Sequence, residues 1–188
     1  GWKGQITHAL PILNAAGFKA TAYVNQETIE TSLDMYMRVA DLETLYANGW
    51  DIGNHTATHE STVATDAATM ENLTYEYLDN QNWIINNVGT RGAYHVAYPS
   101  GSFVPEYLPI LRGIGAVSAR TTVQLNLTTP VSHPDAYYLL PIKSLSTSAD
   151  PGLETSVDRT KAGIDEAVLN GKPVIIMKSG KTAAGNRA

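Results

Sequence analysis

The sequence predicts an α/β domain built around a mostly parallel sheet. A segment with helical apolar spacing, then a glycine, then a short apolar run recurs along the chain, as in repeated βα units. Two histidines four residues apart follow one of these runs, and polar residues follow several others. Because parallel strands end at one edge of a sheet, these residues are expected to share a site. The pattern fits an open, doubly wound sheet and a barrel equally well.

The predicted elements follow this pattern in chain order. Pro11 is compatible with the first helix only if it lies in the first turn, and Thr65 is expected to cap the third helix. Residues 121–148 break the pattern. The helices are predicted over 6–16, 35–46, 70–88, 105–112 and 157–168, and the strands over 20–24, 50–53, 93–98, 116–119 and 174–177.

Length and composition narrow the class of protein. A chain of 188 residues is within the usual range for one domain, so we expect a single domain over residues 1–188. A net charge of −5 without a cluster of basic residues argues against nucleic acid as a partner. No apolar run approaches the roughly 20 residues needed to span a bilayer. The absence of cysteine excludes disulfides and thiolate metal sites.

The histidine pair is the strongest chemical signal in the chain. His55 and His59 have the His-x-x-x-His spacing that allows two imidazoles to face one metal ion. Such pairs also occur by chance. A short strand signal precedes this pair, with Gly53 and Asn54 read as turn-forming residues directly before the first imidazole. The pair is therefore expected at the end of a strand, where a metal site is plausible.

Three segments resemble the polysaccharide deacetylases of the NodB-homology type, also called carbohydrate esterase family four. Residues 49–59, Gly-Trp-Asp-Ile-Gly-Asn-His-Thr-Ala-Thr-His, resemble the family's His-Ser/Thr-x-x-His motif with its preceding strand. Residues 97–101, Ala-Tyr-Pro-Ser-Gly, resemble its third motif, and residues 1–21 resemble its first helix and second strand. The resemblance implies a distorted, incomplete (β/α) barrel, a divalent metal that is most often zinc, and hydrolysis of acetyl groups on N-acetylated or O-acetylated polysaccharides.

The resemblance also implies roles for individual residues. His55 and His59 would bind the metal, and Thr56 would fix the loop or a ring orientation without touching the metal. The backbone N–H of Ser100 would stabilise the tetrahedral oxyanion. Substrate contacts are expected from three residues near the strand ends, although the last of them could instead pair with a surface carboxylate: Tyr98, Pro99 and Arg120.

The departures from the family pattern fall on its catalytic groups. The chain begins at Gly1, the glycine of the first motif, so that motif's two aspartates and the first strand are not in the sequence. Lys178 and Ser179 stand where the family has a histidine acid, Ala97 replaces an arginine, and Ser100 replaces an aromatic residue. We therefore expect a domain truncated at its N-terminus, with truncation at the C-terminus left open, and low activity of the chain.

The remaining histidines are interpreted as structural. His8 is expected on the solvent face of the first helix, and His133 in a loop. His95 lies before the carboxyl end of a predicted strand, where packed or hydrogen-bonded residues are the rule.

Two functions remain open at this stage. The chain is a metal-dependent glycan deacetylase, or it is a non-catalytic protein that binds glycan on the same fold. Chitin oligomers, peptidoglycan, polymeric N-acetylglucosamine and acetylated xylan are all candidate ligands. A secreted or cell-envelope location follows from these substrates and not from any signal in the sequence.

Overall fold

A computed structural model describes residues 1–31, 33–124, 135–144, 161–162, 164–165, 169 and 175–177. Within these residues, six strands form one sheet. They are β1 (Thr21–Val24), β2 (Asp51–Asn54), β3 (His95–Ala97), β4 (Ser118–Gln124), β5 (Leu140–Ser144) and β6 (Ile176–Met177).

Each strand pairs in parallel with the next strand in the chain. Thr21 of β1 is in register with Asp51 of β2, Asn54 of β2 with Val96 of β3, and Ala97 of β3 with Arg120 of β4. The order β1-β2-β3-β4-β5-β6 never reverses. A doubly wound sheet reverses its order at a switch point, whereas a (β/α) barrel does not. The predicted α/β fold with a parallel sheet is therefore confirmed, and its strand order fits the predicted incomplete barrel.

Five α-helices with defined bounds connect or flank the strands in the described part of the chain. They are α1 (Leu10–Ala15), α2 (Gln26–Glu30), α3 (Val39–Ala47), α4 (Ala67–Asn87) and α5 (Tyr107–Gly113), and a π-helical turn over Gln5–Ala9 precedes α1. Pro11 lies in the first turn of α1, as predicted, where its missing N–H costs no hydrogen bond. The short helix α2 was not predicted.

Three local predictions were wrong. Asp66, and not Thr65, caps α4, because its carboxylate accepts a hydrogen bond from the Thr69 N–H. Met35 is exposed and lies before α3, so it does not contribute to that helix's apolar face. Residues 121–148 contain β5 as well as the end of β4. The predicted helix over 157–168 lies mostly outside the described residues.

The core consists of two clusters of buried apolar side chains. One cluster packs α1, α3 and the start of the sheet together and contains Val24, Leu42 and Ile52. The second lies under β3, β4 and α5 and contains Tyr98 and Leu111. Helix α4 contributes to both clusters, so it positions the ends of β2 and β3 relative to one another. No helix in the described part of the chain is long and apolar enough to cross a bilayer.

Candidate active site

The site residues predicted from the sequence lie around one cavity. The cavity has a volume of about 990 Å³ and its lining includes His55, His59, Ser100 and Arg120. His55 directly follows β2, and Ser100 lies in the loop that follows β3. Because the two strands are parallel neighbours, both loops leave the sheet at the same edge. The topology therefore brings together two motifs that are far apart in the sequence.

The ring of His55 is held in an orientation that suits a metal ligand. Its Nδ1 lies 2.6 Å from the carbonyl oxygen of Ala97. A carbonyl can only accept, so Nδ1 carries the proton and the lone pair of Nε2 is available. Burial lowers the pKa of His55 to about 4, although the bond to Ala97 acts in the opposite direction. The ring is therefore neutral near pH 7, as a ligand must be.

His59 lies against His55 on the cavity wall. The centroids of the two rings are 4.8 Å apart, and the ring planes meet at 82°. His59 is more exposed than its partner. The two imidazoles are adjacent and border the same space, which fits a shared ion.

The backbone of the two site loops is strained. Among the described residues, the non-glycine residues with positive φ are Thr56 (64°), His59 (70°) and Ser100 (55°). This left-handed region is uncommon for residues with a side chain and costs of order 1–3 kcal/mol at each position. All three residues lie in the loops that border the cavity. Strain of this kind is typical of sites where backbone direction matters more than stability.

A network of buried asparagines holds the histidine loop in place. The side chain of Asn54 donates to the Tyr77 carbonyl and accepts from the Thr56 N–H. Asn80 of α4 donates to Asn54 Oδ1 and to the Val24 carbonyl. Both asparagines are fully buried. The prediction that Asn54 forms a turn was wrong, because Asn54 is the last residue of β2.

A third asparagine completes this support from the neighbouring strand. Asn25 directly follows β1, and its Nδ2 donates to the carbonyls of His55 and Thr56. It is 6% exposed. The His55 carbonyl is therefore hydrogen-bonded to the residue that follows β1. The N–H of His55 donates to the Val24 carbonyl at 3.1 Å.

Thr56 holds the loop through its backbone and not through its hydroxyl. The hydroxyl is buried and has no hydrogen-bond partner within the described part of the chain. The N–H donates to Asn54 and the carbonyl accepts from Asn25. This corrects the expectation that the Thr56 side chain fixes the loop. A buried hydroxyl without a partner costs about 1–3 kcal/mol, so its position fits a further polar group at the site.

Tyr98 and Pro99 are buried at the base of the loop that contains Ser100. Tyr98 is 0% exposed, and its hydroxyl donates to the Tyr138 carbonyl at 2.9 Å. Pro99 is also buried. Tyr98 also lines the cavity, so the predicted substrate contacts of these two residues stay predictions. Ser100 is exposed at the cavity, and its hydroxyl lies outside that buried base.

Arg120 of β4 lines the cavity. Its guanidinium carbon is 4.9 Å from the centroid of the Tyr23 ring, and burial lowers the pKa of Arg120. Gly53 makes room for that ring, since a Cβ on Gly53 would lie 2.6 Å from it. Gly53 therefore lies within β2, where the lack of a side chain allows the Tyr23 ring to pack. The prediction that Gly53 forms a turn was wrong. Burial is the main cause of the lowered pKa of His55, and the positive charge of Arg120 also lowers that pKa.

The other histidines have the roles expected of them where they are described. His8 is exposed. The Nδ1 of His95 lies 2.8 Å from Ser118 Oγ on the next strand, so His95 is hydrogen-bonded. His133, Lys178 and Ser179 lie outside the described residues.

The residues present fit two ligands of a metal site. Two adjacent imidazoles, one of them neutral with Nε2 available, are suitable donors for zinc and related divalent ions. The described residues contain no group of three or more His, Cys, Asp or Glu side chains that could hold a metal. Gly1 lines the same cavity, so groups at this end of the chain adjoin the imidazole pair.

The polysaccharide deacetylase family model matches residues 1–118, which is more than half of the chain. The chain belongs to the polysaccharide deacetylase family. The match includes both the histidine loop and the loop that contains Ser100. A search of curated proteins gave no match.

Solved structures of polysaccharide deacetylases share this fold at low identity. The Streptococcus pyogenes deacetylase PplD in complex with acetate has 18% identity and a TM-score of 0.65, over 74% of this chain and 58% of that one. IcaB from Ammonifex degensii has 15% identity and a TM-score of 0.66, over 88% of this chain and 69% of that one. The family 4 carbohydrate esterase from Streptomyces lividans in complex with acetate has 15% identity and a TM-score of 0.61, over 98% and 77%. The chain thus spans little more than half the length of PplD.

The asparagine network of this polysaccharide deacetylase domain was missed by the sequence analysis. A weak signal existed, because Asn80 follows Tyr77 by three residues and precedes Ile84 by four, on the apolar face of α4. A polar residue on such a face is either buried with partners or misplaced.

Proposed function

We propose that this domain acts as a metal-dependent deacetylase on N-acetylated or O-acetylated polysaccharide. The observation that carries the proposal is the pairing of two imidazoles, one fixed in orientation by Ala97, on a cavity that also includes Ser100. Family membership supports the reaction class. Zinc is the proposed ion, because the two donors are neutral nitrogens.

The roles of the residues follow from their positions. His55 and His59 would hold the ion, which when bound supplies a Lewis acid and lowers the pKa of a water molecule towards about 7. The hydrogen bond from Nδ1 to the Ala97 carbonyl would leave the Nε2 lone pair of His55 available to the ion. The Ser100 N–H is proposed to donate to the oxyanion that forms when the acetyl carbonyl is attacked. Arg120 is proposed to contact polar groups of the glycan within the cavity.

The general base and a third, anionic ligand are proposed to be carboxylates placed directly before Gly1. Gly1 lines the cavity that contains both imidazoles, so a preceding residue would adjoin them. The described residues supply no alternative triad. Without these carboxylates we expect weak metal binding and little turnover, since general acid and base groups each contribute typically 10²–10⁴-fold.

A non-catalytic glycan-binding protein is the second candidate. This candidate is favoured because the described residues place no third acidic or imidazole ligand beside the histidine pair. On this alternative the cavity binds glycan and no acetyl group is removed. The deacetylase proposal predicts that a carboxylate pair before Gly1 restores hydrolysis, whereas the binding-protein alternative predicts that it does not.

The deciding experiment measures acetate release from a tetramer of N-acetylglucosamine. It compares the 188-residue chain with a version carrying Thr-Phe-Asp-Asp before Gly1 and a matched control carrying Thr-Phe-Asn-Asn. We expect acetate release only from the Asp-Asp version, and its loss on adding a chelator. Equal, chelator-sensitive turnover by all three would overturn the proposed role of the carboxylates. Binding of the tetramer without acetate release by any version would favour the binding protein.

A further inference from the structure

Trp2 and Tyr36 form an aromatic pair at the cavity. Their ring centroids are 5.1 Å apart with the planes at 55°, and the two residues also form an antiparallel backbone bridge. The backbone bonds Lys3 N to Met35 O at 2.8 Å and Met37 N to Gly1 O at 2.9 Å flank this bridge. The pair is therefore held in place from both sides.

The pair is not part of the core. Trp2 and Tyr36 are half-buried, and both line the cavity that contains His55 and His59. The two other tryptophans, Trp50 and Trp83, are buried at 3% and 8% exposure and belong to the first apolar cluster. Trp2 is thus the tryptophan whose ring adjoins the candidate active site.

A polar group without a partner lies next to this pair. The Oε1 atom of Gln5 is buried and accepts no hydrogen bond from the described residues. Gln5 lines the same cavity, and its N–H bonds to the Trp2 carbonyl at 3.0 Å, so the two residues share one turn. This oxygen has almost no accessible surface, so a donor from the cavity reaches it only when the Gln5 side chain rotates, and without a donor the buried acceptor is unfavourable. That donor would belong to a ligand or to water.

We propose that Trp2, Tyr36 and Gln5 form a subsite for a pyranose ring of the glycan other than the ring that carries the reacting acetyl group. A sugar offers C–H faces that pack on aromatic rings and hydroxyl or amide N–H groups that donate to an amide oxygen. The three residues line one cavity, where the aromatic rings offer a packing surface and Gln5 an acceptor that lacks a donor. This inference rests on the proposed function for its substrate class.

The subsite makes binding depend on the length of the glycan. A single N-acetylglucosamine occupies one ring position, whereas a tetramer also reaches the aromatic pair. Loss of an aromatic contact of this kind weakens binding by about 3- to 10-fold. The effect is therefore expected for the tetramer and not for the monosaccharide.

The test measures binding of both sugars to metal-free protein by calorimetry and by tryptophan fluorescence. The variants are Trp2→Ala, Tyr36→Ala and Gln5→Leu, and Phe18→Ala is the matched control, because Phe18 is 64% exposed and outside the cavity lining. We expect the tetramer to shift tryptophan emission in the parent protein, and each cavity variant to bind it about 3- to 10-fold more weakly. The control should bind as the parent does.

Three outcomes would overturn the subsite: parent-like tetramer binding by the Trp2 and Tyr36 variants, equal weakening by Phe18→Ala, or no tetramer binding by the parent. If Trp2→Ala does not fold, Tyr36→Ala and Gln5→Leu give the same comparison. Failure of the subsite can be distinguished from failure of the deacetylase proposal, because sugar binding is measured without metal and separately from acetate release. Trp2-dependent binding without acetate release from any version would leave the subsite standing and refute the deacetylase proposal.

Discussion

The Nδ1 atom of His55 lies 2.6 Å from the carbonyl oxygen of Ala97, which links the loop after β2 to the end of β3. This contact joins the two motifs of the site through a side chain and a backbone group. It sets the tautomer of the imidazole, because the carbonyl requires a proton on Nδ1. The residue at position 97 contributes to the site through its backbone, whatever its side chain.

The tautomer of His55 is the first prediction. At pH 7 we expect a neutral ring with the proton on Nδ1, observed as a protonated Nδ1 and an unprotonated Nε2 in nitrogen-15 NMR spectra of the metal-free chain. Exposed His8 provides the comparison, as a ring without a buried partner. A proton on Nε2 of His55 would show that its lone pair faces Ala97 and not the cavity.

Metal binding is the second prediction. In the version with Asp-Asp before Gly1, His55→Ala and His59→Ala should each reduce bound zinc after dialysis to near background, because each removes a nitrogen donor. Elemental analysis by mass spectrometry measures the zinc content per chain. His8→Ala is the control and should retain zinc. Unchanged zinc in both cavity variants would make the pair structural.

Substitution of Ser100 separates its backbone from its side chain. Ser100 has a φ of 55°, and its N–H is the proposed oxyanion donor. In the Asp-Asp version, Ser100→Gly and Ser100→Ala should retain kcat within a few-fold, since both keep the N–H. Loss of one oxyanion donor typically costs 10²–10³ in kcat, so a decrease of that size in Ser100→Ala, with the fold intact, would assign the role to the hydroxyl.

The asparagine network makes a stability prediction. Asn80→Leu removes three hydrogen bonds. The Gln26 N–H loses its acceptor, whereas the Val24 carbonyl and Asn54 Oδ1 keep the His55 and Thr56 N–H groups as donors. Because each hydrogen bond contributes about 0.5–1.5 kcal/mol and a buried group left unpaired costs about 1–3 kcal/mol, we expect the free energy of unfolding to fall by about 2 kcal/mol in urea titrations. Asn82→Leu, exposed on the same helix, should change it little. Equal effects of the two substitutions would contradict the network.

The hydrogen bonds of Asp41 predict that the free energy of unfolding decreases at acidic pH. Burial would raise the pKa of Asp41, but the bonds that its carboxylate accepts from Lys3 Nζ at 2.6 Å and the Arg38 N–H at 2.8 Å leave that pKa lowered. A lowered pKa in the folded state adds stability above the unfolded value of about 3.9, and this stability is lost as the pH falls below it.

The corresponding variants are Asp41→Asn and Asp41→Ala. The alanine variant also loses the cap of α3, which is worth about 0.5–2 kcal/mol. Urea titrations at pH 7 and pH 3 should show a smaller loss of stability on acidification for Asp41→Asn than for the parent. The same loss in both proteins would exclude Asp41 as a source of acid sensitivity.

Local sequence was sufficient for part of this protein. The spacing of His55 and His59, the glycines that end the helices and the apolar runs between them predicted the repeated parallel units and the edge that carries the site. These features depend on neighbouring residues and on the common direction of parallel strands. The short helix α2 was not predicted, because its five residues are too few for a periodic pattern. Strand β5 was not predicted because a proline, Pro141, interrupts its short apolar run.

Tertiary structure alone decided which groups meet. Whether Tyr98 faces the core or the cavity depends on how β3 packs against α4 and α5, and the structure places it in the core. The bond of His55 to Ala97 spans 42 residues and that of Asn80 to Val24 spans 56, so strand register and helix packing determine them. The pairing of Trp2 with Tyr36 likewise arises from a backbone bridge between distant segments. Spacing in the sequence identifies candidate ligands, whereas the contacts that orient them exist only in the folded chain.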